Sequence, residues 1–261
     1  MTVAFAALLG VVQGVTEFLP ISSKTHLVVV PALLDRRPAG LGFIVLLHLG
    51  TLVALLVYFA PDLWRLLLGV VRGGDDRRLA VLLIVASVPA AVLGLVFEET
   101  FERLLSKPRG AAFALLATAV ILVGAEWVSG TFSRRRARAM RTEATARDAV
   151  VIGLAQALAL LPGVSRSGST IGAGLALGLR RDAVARFAFL LAIPAIAGAN
   201  MIELPEVLDE GIGAPEVAGV VAATVSGFLA VALLLRYLKR FTYLPFAAYC
   251  AAFAVLAGLA L

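Results

Sequence analysis

Cysteine is all but missing from this chain: Cys250 is its only one, set in an apolar stretch. One thiol can form neither a disulfide framework nor a thiolate metal site within a single chain, so neither holds this fold together. Charge is scarce as well. Only 15% of the 261 residues are Asp, Glu, Lys or Arg, and no DNA- or RNA-binding motif occurs among them. The net charge of +6 therefore points to basic loops at a membrane surface rather than to a nucleic-acid partner. The N-terminus lacks a basic segment followed by a short apolar run and a small-residue cleavage site. We expect the chain from Met1 onward to be mature protein that keeps its first helix.

What fills the space is apolar sequence, 61% hydrophobic residues at a mean hydropathy of +0.99. One soluble core of this length could not bury so much, and a bilayer is the natural solvent. A bilayer core of about 30 Å takes about 20 helical residues to cross. Six runs approach that length: Leu41 to Phe59, Leu79 to Phe97, Ala111 to Trp127, Ala183 to Ile202, Val217 to Leu235 and Tyr243 to Leu261. Two regions are apolar but broken. Val3 to Leu34 is interrupted by Glu17, Pro20, Ser22, Ser23 and His26, and Val150 to Leu179 by Pro162, Gly163, Ser165, Arg166, Ser167 and Gly168. Each half of such a region is too short to span comfortably. Each region predicts a re-entrant helix hairpin whose irregular tip must be buried in protein or face a wet cavity.

The broken regions resemble each other. Gly10-Val-Val-Gln13 leads to Leu19-Pro20-Ile-Ser22-Ser23, and Gly153-Leu-Ala-Gln156 leads to Leu161-Pro162-Gly-Val-Ser165-Arg166-Ser167. Each is followed by three predicted spans, so the second half lies upside down relative to the first. The expected fold class is an all-α integral membrane protein with an inverted-topology repeat, six transmembrane helices plus two re-entrant helix hairpins. Its parts are a first repeat at 1–132, a basic linker at 133–147 and a second repeat at 148–261. Counting loop Lys and Arg puts sixteen on one side, including the arginine run at 134–141, and five on the other. Positive charge stays inside, so both termini are expected outside and the linker in the cytoplasm.

The chemistry belongs to the polar groups that lipid makes expensive. Gln13 and Glu17 are four residues apart and share a helix face, where a carboxylate could hold a divalent cation, accept a proton or simply tie the hairpin to a neighbour. Pro20-Ile-Ser22-Ser23 breaks the chain before a second helix, and His26 lies three residues after Ser23. A hydroxyl beside an imidazole can form an activated nucleophile, although a serine cap and a core histidine would give the same pattern. His48, inside an otherwise apolar span, reads as a core histidine. The nine residues 162–170 carry Gly163, Ser165, Arg166, Ser167, Gly168, Ser169 and Thr170 at a helix start, a donor cluster suited to phosphate oxygens. No carboxylate is near Arg166 in sequence. A structural ion pair would have to reach Glu17.

Gln-Gly-Val-Thr-Glu-Phe-Leu-Pro-Ile-Ser-Ser-x-x-His at 13–26 and Pro-Gly-Val-Ser-Arg-Ser-Gly-Ser-Thr at 162–170 resemble the two signature motifs of the undecaprenyl-diphosphate phosphatase (bacitracin-resistance) family. Leu49 to Leu52, Val88 to Ala90 and Arg186 to Pro194 are similar to further family segments. The resemblance implies a hydrolase of the bacterial plasma membrane that removes one phosphate from a polyprenyl diphosphate lipid, with Mg²⁺ or Ca²⁺ as divalent cation. Carried over by position, it makes Glu17, Ser23, His26 and Arg166 catalytic and Glu17 the metal ligand. Gln13, Ser22, Lys24, Gly163, Ser165, Ser167, Gly168 and Thr170 would then bind substrate, and a homodimer is left open. Three positions depart from the family pattern: Lys24-Thr25 stands where Thr-Gly is usual, Gln13 where many members have glutamate, and Cys250 where an arginine commonly follows the tyrosine.

Ser23 is the preferred nucleophile, with His26 or Glu17 as its base; a histidine nucleophile and a directly activated water stay open. A secondary transporter or lipid-carrier flippase shares the broken helices and inverted repeat but needs no nucleophile. The phosphatidate-phosphatase pattern requires a histidine six residues after its arginine. Gly172 stands there, which excludes it.

Overall fold

The computed structural model describes residues 1–104, 107–130, 140–161, 163–209 and 211–261, and among these it is helical throughout, without a β-strand. The first broken region folds as α1 (Val3–Phe18) and α2 (Ser23–Leu33). It is followed by α3 (Leu41–Tyr58), α4 (Ala60–Arg72), α5 (Gly74–Leu104) and α6 (Pro108–Val128). The second broken region folds as α7 (Ala146–Leu158) and α8 (Arg166–Ala176), followed by α9 (Arg181–Asp209), α10 (Ala214–Leu238) and α11 (Leu244–Ala260). The arginines at 134–138 lie outside the described residues, as do Pro162 and Glu210.

Local chemistry sets the breaks. Leu19, held extended as a residue before proline must be, ends α1 at ψ 141°. α2 begins after Ser22, whose φ of 66° is uncommon for any residue but glycine. On the other side, Thr145 and Asp148 form a reciprocal cap that starts α7, and Arg141 grips the same carboxylate at 2.8 and 3.1 Å. Ser165 caps α8 by accepting from the Gly168 N–H at 3.1 Å.

Among the described residues five helices are long and apolar enough to cross a membrane: 41–58, 74–94, 108–128, 181–209 and 214–238. The sixth expected span is the 17-residue α11, at the short end of what crosses. Val120, Leu256 and Leu259 are each at least 70% exposed, an outward apolar face that suits lipid and not water. The amphipathic α4 was not anticipated by the hydropathy pattern. Pro61, Asp62 and Arg65 follow α3 so closely that they read as a loop.

The two halves interlock reciprocally. α1 packs along α10 of the other half, and α7 packs along α5. Glycine makes both approaches close. A Cβ at Gly10 would sit 2.3 Å from the Gly219 carbonyl oxygen, and one at Gly14 would sit 2.0 Å from Ser226 Oγ. One at Gly153 would sit 2.5 Å from the Ala86 carbonyl oxygen. Helices in lipid gain from such contact because no hydrophobic force drives them together. The glycine shared by the two similar sequence segments, Gly10 and Gly153, thus does the same job in each half. This packing brings the end of α1 and the starts of α2 and α8 together.

Candidate active site

Glu17 is the hub where those ends meet. It sits on the last turn of α1, 7% exposed, and both of its carboxylate oxygens are engaged. Oε1 accepts from Arg166 Nη2 at 2.6 Å across 149 residues of sequence. Oε2 accepts from Gln13 Nε2 at 3.0 Å and from Ser23 Oγ at 2.5 Å. His48 Nε2, from the middle of α3, stands 3.7 Å from the same oxygen while Nδ1 faces the Ile44 carbonyl at 2.9 Å. The helical spacing of Gln13 and Glu17 made their pairing legible. His48 was read as a core residue, and only the packing of α3 against α1 shows it beside the carboxylate.

The expected pairing of Ser23 with His26 is not formed. The left-handed Ser22 turns the next residue back toward α1, so Ser23 Oγ meets Glu17 instead. His26 points the other way: Nδ1 faces the Ser22 carbonyl at 2.8 Å, and Nε2 faces the Tyr249 hydroxyl at 2.8 Å. Its ring stacks on Phe253 at 4.5 Å between centroids. Tyr249 and Phe253 come from α11, a contact that no motif announced. The Ser22 hydroxyl meets Thr25 Oγ1 at 3.2 Å, and Lys24 is exposed.

The second motif forms a compact wall opposite. Gly163 adopts φ 75°, and a Cβ there would lie 2.1 Å from that of Ala114, so only glycine fits. Thr118 of α6 locks this loop by donating to the Gly163 carbonyl at 2.8 Å and accepting from the Ser165 N–H at 2.9 Å. Ser165 and Ser167 hydroxyls are 3.1 Å apart, and Ser167 donates to the Leu19 carbonyl at 3.0 Å, tying this loop to the first. Thr170 donates backward to the Arg166 carbonyl at 2.8 Å, which fixes the helix and not a ligand. Thr118 was not anticipated, since a lone threonine in an apolar span carries no signal.

The Arg166 to Glu17 pair is the ion pair foreseen as the structural alternative, yet its form differs from a purely structural one. At the far end of α6, Arg181 grips Glu126 with Nε at 2.9 Å and with Nη2, and the Tyr243 N–H donates to the same carboxylate at 2.8 Å. That pair is two-pronged. Arg166 touches Glu17 through Nη2 alone, so the rest of its donor fork is left for another acceptor.

Among the described residues no group of three or more His, Cys, Asp and Glu is arranged to hold a metal ion. The buried Gln13 Oε1 nevertheless has no hydrogen-bond partner, and it lies on the residue bonded to Glu17. Gln13 Oε1 and the Glu17 carboxylate are the two oxygens here of the kind that a hard divalent cation takes.

A family model described as "Bacitracin resistance protein BacA" matches residues 6–256. The chain is similar to an undecaprenyl-diphosphatase of Thermomicrobium roseum, 44% identical over 262 residues that cover 95% of this chain and 94% of the relative. It is 43% identical to that of Moorella thermoacetica over 253 residues, covering 95% and 94%. To that of Acidiphilium cryptum it is 42% identical over 279 residues, covering 98% and 97%.

Proposed function

We propose, because the chain belongs to the bacitracin resistance protein BacA family, that it hydrolyses undecaprenyl diphosphate to undecaprenyl phosphate and inorganic phosphate. The observation that carries this reading is the Ser23 hydroxyl donating at 2.5 Å to Glu17, beside a guanidinium with donors to spare. A nucleophile, its base and an anion clamp stand together at the tip of a broken helix.

The steps follow from the contacts. Free N–H groups of Arg166 and the first-turn N–H groups of α8 bind the diphosphate oxygens, where charge stabilisation is most valuable in phosphoryl transfer. Glu17 takes the Ser23 proton as Oγ attacks the terminal phosphorus, and the bond to the bridging oxygen breaks, releasing undecaprenyl phosphate. Glu17 passes that proton to the departing oxygen of undecaprenyl phosphate; it then takes one from the water that attacks the phosphoserine and returns it to Ser23 Oγ as the P–O bond breaks, which frees phosphate and restores the hydroxyl. His26 serves as a positioning residue: bonded to the Ser22 carbonyl and to Tyr249, it holds the turn that aims Ser23. Glu17 and Gln13 Oε1 would hold Mg²⁺ or Ca²⁺, which would neutralise charge on the phosphates.

The same reading assigns six crossings and two re-entrant hairpins, with repeats at 1–132 and 148–261. It places the linker in the cytoplasm and the termini outside the plasma membrane. Reciprocal packing of α1 on α10 and α7 on α5 supports it. The test is phosphate release by the purified, reconstituted chain. Activity that disappears in Ser23→Ala and in Glu17→Gln, together with an acid-stable phosphoprotein absent from Ser23→Ala, is expected. Substrate binding without phosphate release would favour a carrier over an enzyme.

A further inference from the structure

The helix α4 has no part in the chemistry above, yet among the described helices its sidedness is the sharpest. Around its axis Trp64, Leu67, Leu68, Val70 and Val71 form one apolar arc, with Arg65 and Arg72 along one edge. Trp64 is 65% exposed, Leu67 64% and Val71 88%. The opposite face is fixed to protein. Leu66 is buried, and a Cβ at Gly69 would lie 2.6 Å from that of Asp76. Asp62 is held by Arg65 at 3.0 Å and by Arg186 at 2.5 Å, and Arg186 stacks over the Phe59 ring at 5.4 Å. The apolar arc is therefore pinned outward.

Thirteen residues make a helix of about 20 Å, too short to cross a core of about 30 Å. α4 starts one residue after α3 ends, so it begins where that span leaves the bilayer. Spans alternate in direction, so α6 ends on the same side, and its Trp127 is 72% exposed. Both tryptophans of the chain thus sit at one membrane boundary, where their amphipathic rings are favoured. Among the described residues Arg72, at the end of α4, and Arg77, on the first turns of α5, form no ion pair, which leaves two exposed cations at this end of the spans for lipid phosphates.

We propose that α4 is an interfacial helix, its apolar arc seated in the headgroup boundary of the leaflet on the basic side and its Arg72 and Arg77 bound to anionic lipid headgroups. This placement is independent of the reaction at Ser23.

The test uses the full-length Trp127→Phe variant in bilayers of phosphatidylcholine and phosphatidylglycerol, where Trp64 is the sole indole. Bromines near the headgroup end of the acyl chains should quench it at least about twofold more than bromines near the chain end. Shallow bromines carried by phosphatidylglycerol should quench more than the same bromines on phosphatidylcholine at equal fraction. That preference should vanish in Arg72→Gln/Arg77→Gln. The parent chain minus Trp64→Phe gives the same readings by difference if Trp127→Phe is poorly made. Quenching by aqueous iodide but not by bromolipid would place the arc in water. Insensitivity to both would place it against a second copy, and equal quenching by the two lipids would remove the anionic preference; each result overturns the proposal.

Discussion

Replacing Arg166 by lysine separates the two duties that its geometry assigns. Only Nη2 touches Glu17, at 2.6 Å, and one ammonium can reproduce one such contact. Arg166→Lys should therefore keep the buried carboxylate paired and cost less than about 1 kcal/mol of stability. Arg166→Ala removes the partner of a carboxylate that is 7% exposed and should cost about 3 kcal/mol or more. Activity should behave differently. A point charge cannot present the remaining fork to a diphosphate, so turnover should fall at least about a hundredfold in both variants, or about 2.7 kcal/mol of transition-state stabilisation. The assay pairs thermal melting in detergent with phosphate release from a polyprenyl diphosphate. A lysine variant with near-normal turnover, or one as unstable as alanine, would refute the division. So would a Glu17→Gln/Arg166→Ala double variant that regains activity, because it would reduce the pair to a structural one.

Gly14→Ala should lower stability by about 1 to 3 kcal/mol, measured by melting, because its Cβ would lie 2.0 Å from Ser226 Oγ and 2.5 Å from the Ala223 carbonyl oxygen. Burial opposes ionisation of Asp148, but Arg141 and Thr145 outweigh it and hold the carboxyl below its ordinary value. Its stabilisation is therefore complete above the ordinary carboxylate range near pH 4 and is lost as pH falls through the lowered value. Asp148→Asn should melt earlier at pH 7 and lose that part of the acid dependence. A cysteine placed near Asp209 should label from outside intact cells and one near Arg136 should not; the reverse pattern would invert the proposed orientation.

Pattern and spacing revealed the apolar helices but not α4, and they revealed the breaks and the polar residues at their tips, because lipid leaves few polar positions and each needs a reason. Partners were legible only where helical geometry or scarcity dictated them: Gln13 with Glu17 by their spacing, and Arg166 with Glu17 because no nearer carboxylate exists. Of the two bases open for Ser23, His26 and Glu17, the structure pairs it with Glu17, which spacing along α2 alone could not decide. The positive φ of Ser22 precedes the start of α2 and turns the Ser23 hydroxyl back on Glu17, while His26 faces Tyr249. His48, Thr118 and Tyr249 reach the site from three other helices. Their roles depend on packing that no local pattern encodes.

The reciprocal glycine contacts also govern how the protein is made. Synthesis delivers Glu17 and Ser23 first, but α1 lacks its main packing surface until α10 has emerged and entered the bilayer. Until then the nascent first hairpin carries a helix whose glycine face is bare. A chain stopped before residue 214 holds both sequence motifs yet lacks the helix that seats the first of them. A site built on Glu17 therefore depends on a helix made well after both motifs that supply its side chains.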